Sequence, residues 1–200
     1  NPDGRRCLPP GIDGFKKVPF GNAAAVADAV DENTVAVMIE PIQGEACVIV
    51  PPPGYLNELR RIADVNGILL ITDEVQTGVG RTGEFYAFEH EGVNPDIVTL
   101  GKGLGGGVPI SAALARDEVA CFEFGNQGGT YNGNLLMTAV GAAIVKAVRQ
   151  PKFLAHVRSV GAKLEAGLSD LATTHGFLNI RGAGLLWAVQ LASANAEQVV

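Results

Sequence analysis

The stretch YLNELRRIADVNGILLITD, residues 55–73, sets a helix, its stop signal and a buried strand in direct succession. Apolar side chains at Tyr55, Leu56, Leu59, Ile62 and Ala63 recur at helical spacing, which predicts a helix over Tyr55 to Val65. Gly67 falls where a C′ residue ends a helix. Ile68 to Thr72 follows as a short apolar run, and Asp73 comes directly after it. A fully apolar strand alternating with amphipathic helices indicates a parallel sheet covered on both faces.

The same grammar extends in both directions. VAVMI (Val35 to Ile39) is a strand that stops at Glu40-Pro41, IVTL (Ile97 to Leu100) is another, and Ser111 to Ala115 is a fourth. Asn22 to Val30 reads as an Ala-rich helix with Asn22 as its N-cap. Gly44 to Val50 is closed by three prolines, and residues 74–84 read as a polar, Gly-rich loop. Leu135 to Val148 and Phe153 to Thr173 are helical, and Phe177 to Arg181 with Leu185 to Leu191 forms a strand pair. A composition shift near Pro151 divides the chain into 1–150 and 151–200. There is no internal repeat and no low-complexity tract.

Composition removes several classes. Hydrophobic residues make up 47%, charged residues only 18%, and the net charge is −6, which fits neither disorder nor nucleic-acid binding through a basic stripe. The apolar runs are far shorter than the ~18 residues a membrane span requires. Cys7, Cys47 and Cys121 are too few and too scattered for a disulfide framework or a zinc site, which points to a reducing, cytoplasmic setting and to no metal. The opening Asn1-Pro-Asp-Gly lacks Met and a signal core, and the end at Val200 lies in an Ala-rich stretch. Both features suggest a segment of a longer protein.

In open α/β sheets, ligands bind beyond the carboxyl ends of the strands. Three strands here lead into reactive residues: Glu40, Asp73 and Lys102. Lys102 lies in GKGLGGG (101–107), where glycines permit close approach of the backbone to a planar or anionic ligand. A phosphate loop of the Walker type would need its lysine after the glycines and before Ser or Thr, and here that order is inverted. An amine attacks a carbonyl only when deprotonated, and partial burial favours that form, so Lys102 suits a Schiff-base role. An electron-sink cofactor then needs a carboxylate opposite its ring nitrogen, and Asp73 is the candidate.

Four motifs in order, Glu40-Pro-Ile-Gln-Gly-Glu45, ITDEVQTG (71–78) with GRTG (80–83), TLGKGLGGG (99–107) and GGTYNGN (128–134), resemble class III (ornithine-type) aminotransferases. The acetylornithine and ornithine aminotransferases are the branch most resembled. The resemblance implies pyridoxal 5′-phosphate as cofactor and the large domain of fold type I, a mostly parallel α/β sheet between helices, over 1–150. The start of a smaller α+β domain would follow over 151–200. It implies that Lys102 forms the internal aldimine and shuttles a proton, that Asp73 pairs with the pyridine nitrogen, and that Val75 packs on the ring. Gln76 would reach the phenolic oxygen. Thr130 would bind the phosphate of a neighbouring subunit in a homodimer with shared sites. Glu45 would be the gate carboxylate that pairs with a substrate-binding arginine, supported by Glu40. The implied reaction moves the terminal amine of acetylornithine or ornithine to 2-oxoglutarate, as in arginine biosynthesis.

Each residue also has a plainer reading. Val75 could be core, and Gln76 with Glu40 a buried hydrogen-bonded pair. Arg81 is read as a solvated loop arginine. His90, His156 and His175 stand at no ligand or triad spacing, and Glu58, Arg60, Arg61 and Asp64 read as the wet face of a helix. The family's phosphate cup and ring-stacking aromatic would precede Asn1, the gate arginine would lie beyond Val200, and Asn126-Gln127 replace the usual His before the phosphate loop. GABA-type and related ω-amino acid aminotransferases share these motifs. A phosphate- or nucleotide-binding module using 101–107 is the reading from another class, and it requires those glycines to open a helix.

Overall fold

The computed structural model describes residues 13–192. The Asn1-Pro-Asp-Gly opening, Cys7 and the end at Val200 lie outside them. Four strands form the main sheet in the order β1 (Ala36–Ile39), β2 (Leu69–Asp73), β3 (Ile97–Leu100), β4 (Ala112–Ala115). The first three are parallel, and β4 runs antiparallel to β3. The sheet is therefore mixed at its β4 edge and otherwise parallel, an α/β arrangement in which Ile39, Asp73 and Leu100 all end at one rim.

Most helix ends lie where local chemistry puts them. Asn22 caps α1 (Ala23–Ala29) by accepting from the Ala25 amide at 3.0 Å. α2 (Tyr55–Asn66) has glycine at its N-cap, so a distant carboxylate does that work. Glu91, in a 3-10 turn at Ala87–Glu91, accepts from the Gly54 and Asn57 amides. Gly67 ends α2 in the left-handed conformation expected of it. Asn134 caps α3 (Leu135–Val148), and Pro151 opens α4 (Pro151–His175) at the position that needs no amide. The hairpin β5 (Asn179–Ala183) and β6 (Leu186–Gln190) completes the described chain.

One face of the sheet carries the core. Leu70, Thr72, Val98 and Leu100 point to Leu56, Leu59, Ile62 and Ala63 of α2, with Val26 of α1 beyond. Along the alternate parity, Leu69, Ile71 and Ile97 are only half-buried, and Met38 and Ala113 are exposed. Among the described residues the two faces are therefore covered unequally, one packed under α2 and the other only in part.

A correction concerns the charged face of α2. Glu58 and Arg61 do form an exposed pair, yet Arg60 is largely buried and reaches inward to Asp96 at 2.7 Å. Asp96 is 7% exposed and also accepts from the Leu70 amide at 2.7 Å and from Arg116 at 3.0 Å. Burial pushes this carboxyl up, but those donors more than offset it and hold it below the usual carboxylate range. Asp96 therefore staples β2, β3 and β4 together at the rim opposite the reactive residues.

Candidate functional site

Asp73 ends β2 in register with Thr99 of β3, so their side chains share the less covered face. The Asp73 Oδ1 accepts from the Val75 amide at 2.9 Å and from the Thr99 hydroxyl at 3.1 Å. Both bonds fall on one oxygen. Oδ2 has no hydrogen-bond partner among the described residues, so the carboxylate is oriented with one oxygen in reserve.

Lys102 follows β3 by two residues and sits in a 3-10 turn, Lys102–Leu104. Its φ of 40° is left-handed, a conformation costing a non-glycine residue about 1–2 kcal/mol. The strain brings Nζ to 2.9 Å from Gln76 Oε1 and 3.4 Å from Glu45 Oε1. The side chain is about half exposed (51%), which is wetter than the partial burial expected of it. Gln76 and Lys102 line a cavity of about 290 Å³ together with Val79, Arg81, Leu185 and Leu186. That is close to the ~300 Å³ lower bound of small-molecule pockets. Glycines 101–107 lead through the short turn into β4 and open no helix, so the phosphate-loop reading lacks the element it requires.

Val75 lies half-buried, with a methyl 3.3 Å from where a Cβ on Gly101 would stand. Glu40 and Gln76 do not bond to each other. Glu40 accepts from the Gly44 amide at 2.9 Å, and the Gln76 amide lies 2.1 Å from where a Cβ on Gly44 would stand. Gly44 thus lies between them, and the absence of a Cβ there is what lets the Gln76 side chain approach its backbone. Thr130 lies in an exposed segment, apart from the cavity lining. His90 is satisfied by Thr82 at 3.0 Å, His156 and His175 are exposed, and among the described residues no cluster could hold a metal.

The loop read as merely polar conceals a buried residue. Glu74 is fully buried, accepting from the Thr77 hydroxyl and from the Phe88 amide at 3.0 Å. Burial pushes its carboxyl above the usual range, against the pull of those donors. It ties the turn that carries Asp73, Val75 and Gln76 to the 3-10 turn at 87–91. The run Phe85 to Phe88, in which Phe85 meets Tyr86 edge to face and Tyr86 stacks on Phe88, was the signal that this loop is packed. Arg81 is exposed, as its reading as a solvated loop arginine expects, and it also lines the cavity. Nothing in its local sequence marks that placement.

An amine, a carboxylate with one free oxygen and a side-chain amide, gathered at one end of a parallel sheet, suit a planar cofactor carrying a carbonyl and a basic ring nitrogen. The donor set therefore fits pyridoxal phosphate. Comparison with known proteins agrees. The family model described as aminotransferase class-III matches residues 16–200. The acetylornithine aminotransferase of Ralstonia nicotianae is 46% identical over 191 residues, covering 96% of this chain and 48% of that protein. That of Methanopyrus kandleri is 45% identical, over 95% of this chain and 49% of its own. Among solved structures, the ornithine aminotransferase of Toxoplasma gondii ME49 superposes with a TM-score of 0.86 at 37% identity, covering 92% of this chain and 45% of that one. The N-acetylornithine aminotransferase of Stenotrophomonas maltophilia gives 0.80 at 35%, covering 90% and 48%. The chain spans about half the length of the curated relatives it matches.

Proposed function

The chain belongs to the class-III aminotransferases, and from that premise we propose that the whole protein is a pyridoxal-phosphate enzyme moving the terminal amine of acetylornithine or ornithine to 2-oxoglutarate. The observation that carries the reading is the meeting of Lys102 with Gln76 and Glu45 at the sheet rim that also carries the oriented carboxylate of Asp73. The acetylornithine and ornithine aminotransferases among its relatives support the donor class.

Pyridoxal phosphate, when bound, supplies an electron sink for the charge left on carbon when a proton departs. Lys102 would hold it covalently, Asp73 through its ring nitrogen, Val75 by packing and Gln76 by hydrogen bonding, with Thr130 at the phosphate. Lys102 Nζ takes the substrate's proton and returns it, and its strained backbone keeps that amine at the cavity. Asp73, with Oδ1 committed to Val75 and Thr99, has Oδ2 to hold a proton on a ring nitrogen. Glu45, exposed and reaching Lys102, faces the incoming substrate and would hold the gate arginine until an α-carboxylate takes its place, with Glu40 supporting its loop.

The segment around Thr130 supports a homodimer with shared sites. Phe122, Phe124, Tyr131, Leu135 and Leu136 are all exposed there, and large apolar side chains gathered in water favour an interface. Pro151, opening α4, supports the division into a large-domain part over 1–150 and the start of a small domain over 151–200. The free, exposed Cys47 and Cys121 accord with a reducing, cytoplasmic compartment. No helix among the described residues is long and apolar enough to cross a membrane.

Borohydride reduction of the full-length protein with pyridoxal phosphate, followed by peptide mapping, tests the reading. A phosphopyridoxyl adduct on Lys102, lost in Lys102→Ala, is expected. A folded protein with no adduct there would reject it. Comparing kcat/KM for acetylornithine, ornithine and GABA with 2-oxoglutarate as acceptor then tests the donor.

A further inference from the structure

Gln43 and Ile49 exchange two backbone hydrogen bonds, at 3.0 and 2.9 Å, and close a loop over residues 44–48 that carries Glu45. Inside it, the Val48 amide donates to the Gly44 carbonyl at 3.1 Å. The loop is strained in an unusual way. Cys47 and Val48 have φ of 72° and 52°, consecutive left-handed residues of which neither is glycine and one is β-branched. Such a pair persists only where surrounding structure imposes it.

The restraint comes from far along the chain. Arg181 of β5 donates from Nε to the Val48 carbonyl at 2.9 Å and from Nη2 to the Cys47 carbonyl at 2.8 Å. The fork of a guanidinium matches two adjacent carbonyls as no other side chain does. Arg181 forms no ion pair among the described residues, so its partly buried charge is met by the loop backbone. The other end of the loop is held by Glu40, which accepts from the Gly44 amide, with the Gln76 side chain packed against Gly44. Glu45 and Ala46 are left projecting between two fixed points, with the Glu45 carboxylate 3.4 Å from Lys102 Nζ.

We infer that Arg181 is a positioning residue for Glu45: by clamping the strained Cys47–Val48 turn it fixes the height at which that carboxylate stands over Lys102, and so couples the C-terminal hairpin to substrate exchange. The functional half of this inference rests on the proposed role of Glu45 as the gate carboxylate. The structural half does not.

The test uses the full-length protein with Arg181→Gln, Arg181→Lys and Glu45→Gln. Hydrogen exchange in the absence of cofactor is the first readout. The Val48 and Ile49 amides should exchange at least about tenfold faster in Arg181→Gln, and faster to a smaller degree in Arg181→Lys, which retains charge without the fork. Glu45→Gln should leave them unchanged. The second readout is the ratio of kcat/KM for the amine-donor and glutamate half-reactions. Glu45→Gln and Arg181→Gln should move it in the same direction, and the double variant should add little to either. Unchanged exchange at Val48 and Ile49 in both Arg181 variants overturns the clamp. A ratio that Glu45→Gln moves and Arg181→Gln does not overturns the coupling. A ratio unmoved by Glu45→Gln instead rejects the gate reading, while the exchange data still decide the clamp.

Discussion

Glu74→Gln should make the protein more stable at pH 8, with a gain that shrinks as the pH falls. The carboxylate is fully buried, and its donors, the Thr77 hydroxyl and the Phe88 and Ala87 amides, do not offset the loss of water. Because its carboxyl is raised in the folded state, the native protein holds that proton more tightly than the unfolded chain. Stability from Glu74 is thus fully present below the unfolded value near ~4.3 and is lost as pH rises through the folded one. One proton sets the ceiling on the slope at about 1.4 kcal/mol per pH unit. Glutamine keeps the shape: its carbonyl still accepts from Phe88 and its amide can donate to the Thr77 oxygen, with no charge to desolvate. Leucine would strand those partners at about 1–3 kcal/mol each and destabilise at every pH. Urea unfolding followed by circular dichroism from pH 4.5 to 8.5 gives the answer, since subtracting Glu74→Gln from wild type cancels every other titration. A flat difference across that range, or one of opposite sign, would refute the reasoning.

Asp96→Asn should show the reverse pH dependence. Its carboxyl is lowered in the folded state, so its contribution is present above ~3.9 and lost as pH falls through the folded value. Weakening its hold on Arg60, Arg116 and the Leu70 amide should cost about 3 kcal/mol at pH 7 in the same unfolding assay, and a loss under about 1 kcal/mol would sink the staple. Thr72→Val should stabilise by about 1 kcal/mol, because the buried Thr72 hydroxyl has no hydrogen-bond partner among the described residues; clear destabilisation would mean that it has one. Gly161→Ala should cost about 1–3 kcal/mol despite alanine's better helix propensity, since its Cβ would stand 2.4 Å from the Gly184 carbonyl oxygen. Gly167→Ala, with open space around it on the same helix, should gain up to about 1 kcal/mol, and equal effects at the two sites would contradict the packing of α4 on the hairpin.

Local chemistry determined most of the elements. Asn22 and Gly67 mark helix ends by groups that act within one turn, and β3 and α3 lie where apolar periodicity puts them. The sequence also placed Glu40, Asp73 and Lys102 after strands, and a parallel sheet converts that into one rim without further information. Other features depended on neighbours distant in the chain. The antiparallel turn of β4, the unequal cover of the two sheet faces, the burial of Glu74 under Phe88 and the inward reach of Arg60 to Asp96 all involve such partners. So does the grip of Arg181 on the Cys47 and Val48 carbonyls, across more than a hundred residues. Period and propensity report how a residue relates to its own turn or strand. Burial of a charge, strain in a loop and the pairing of a guanidinium are properties of whatever tertiary packing brings alongside, and no local pattern encodes them.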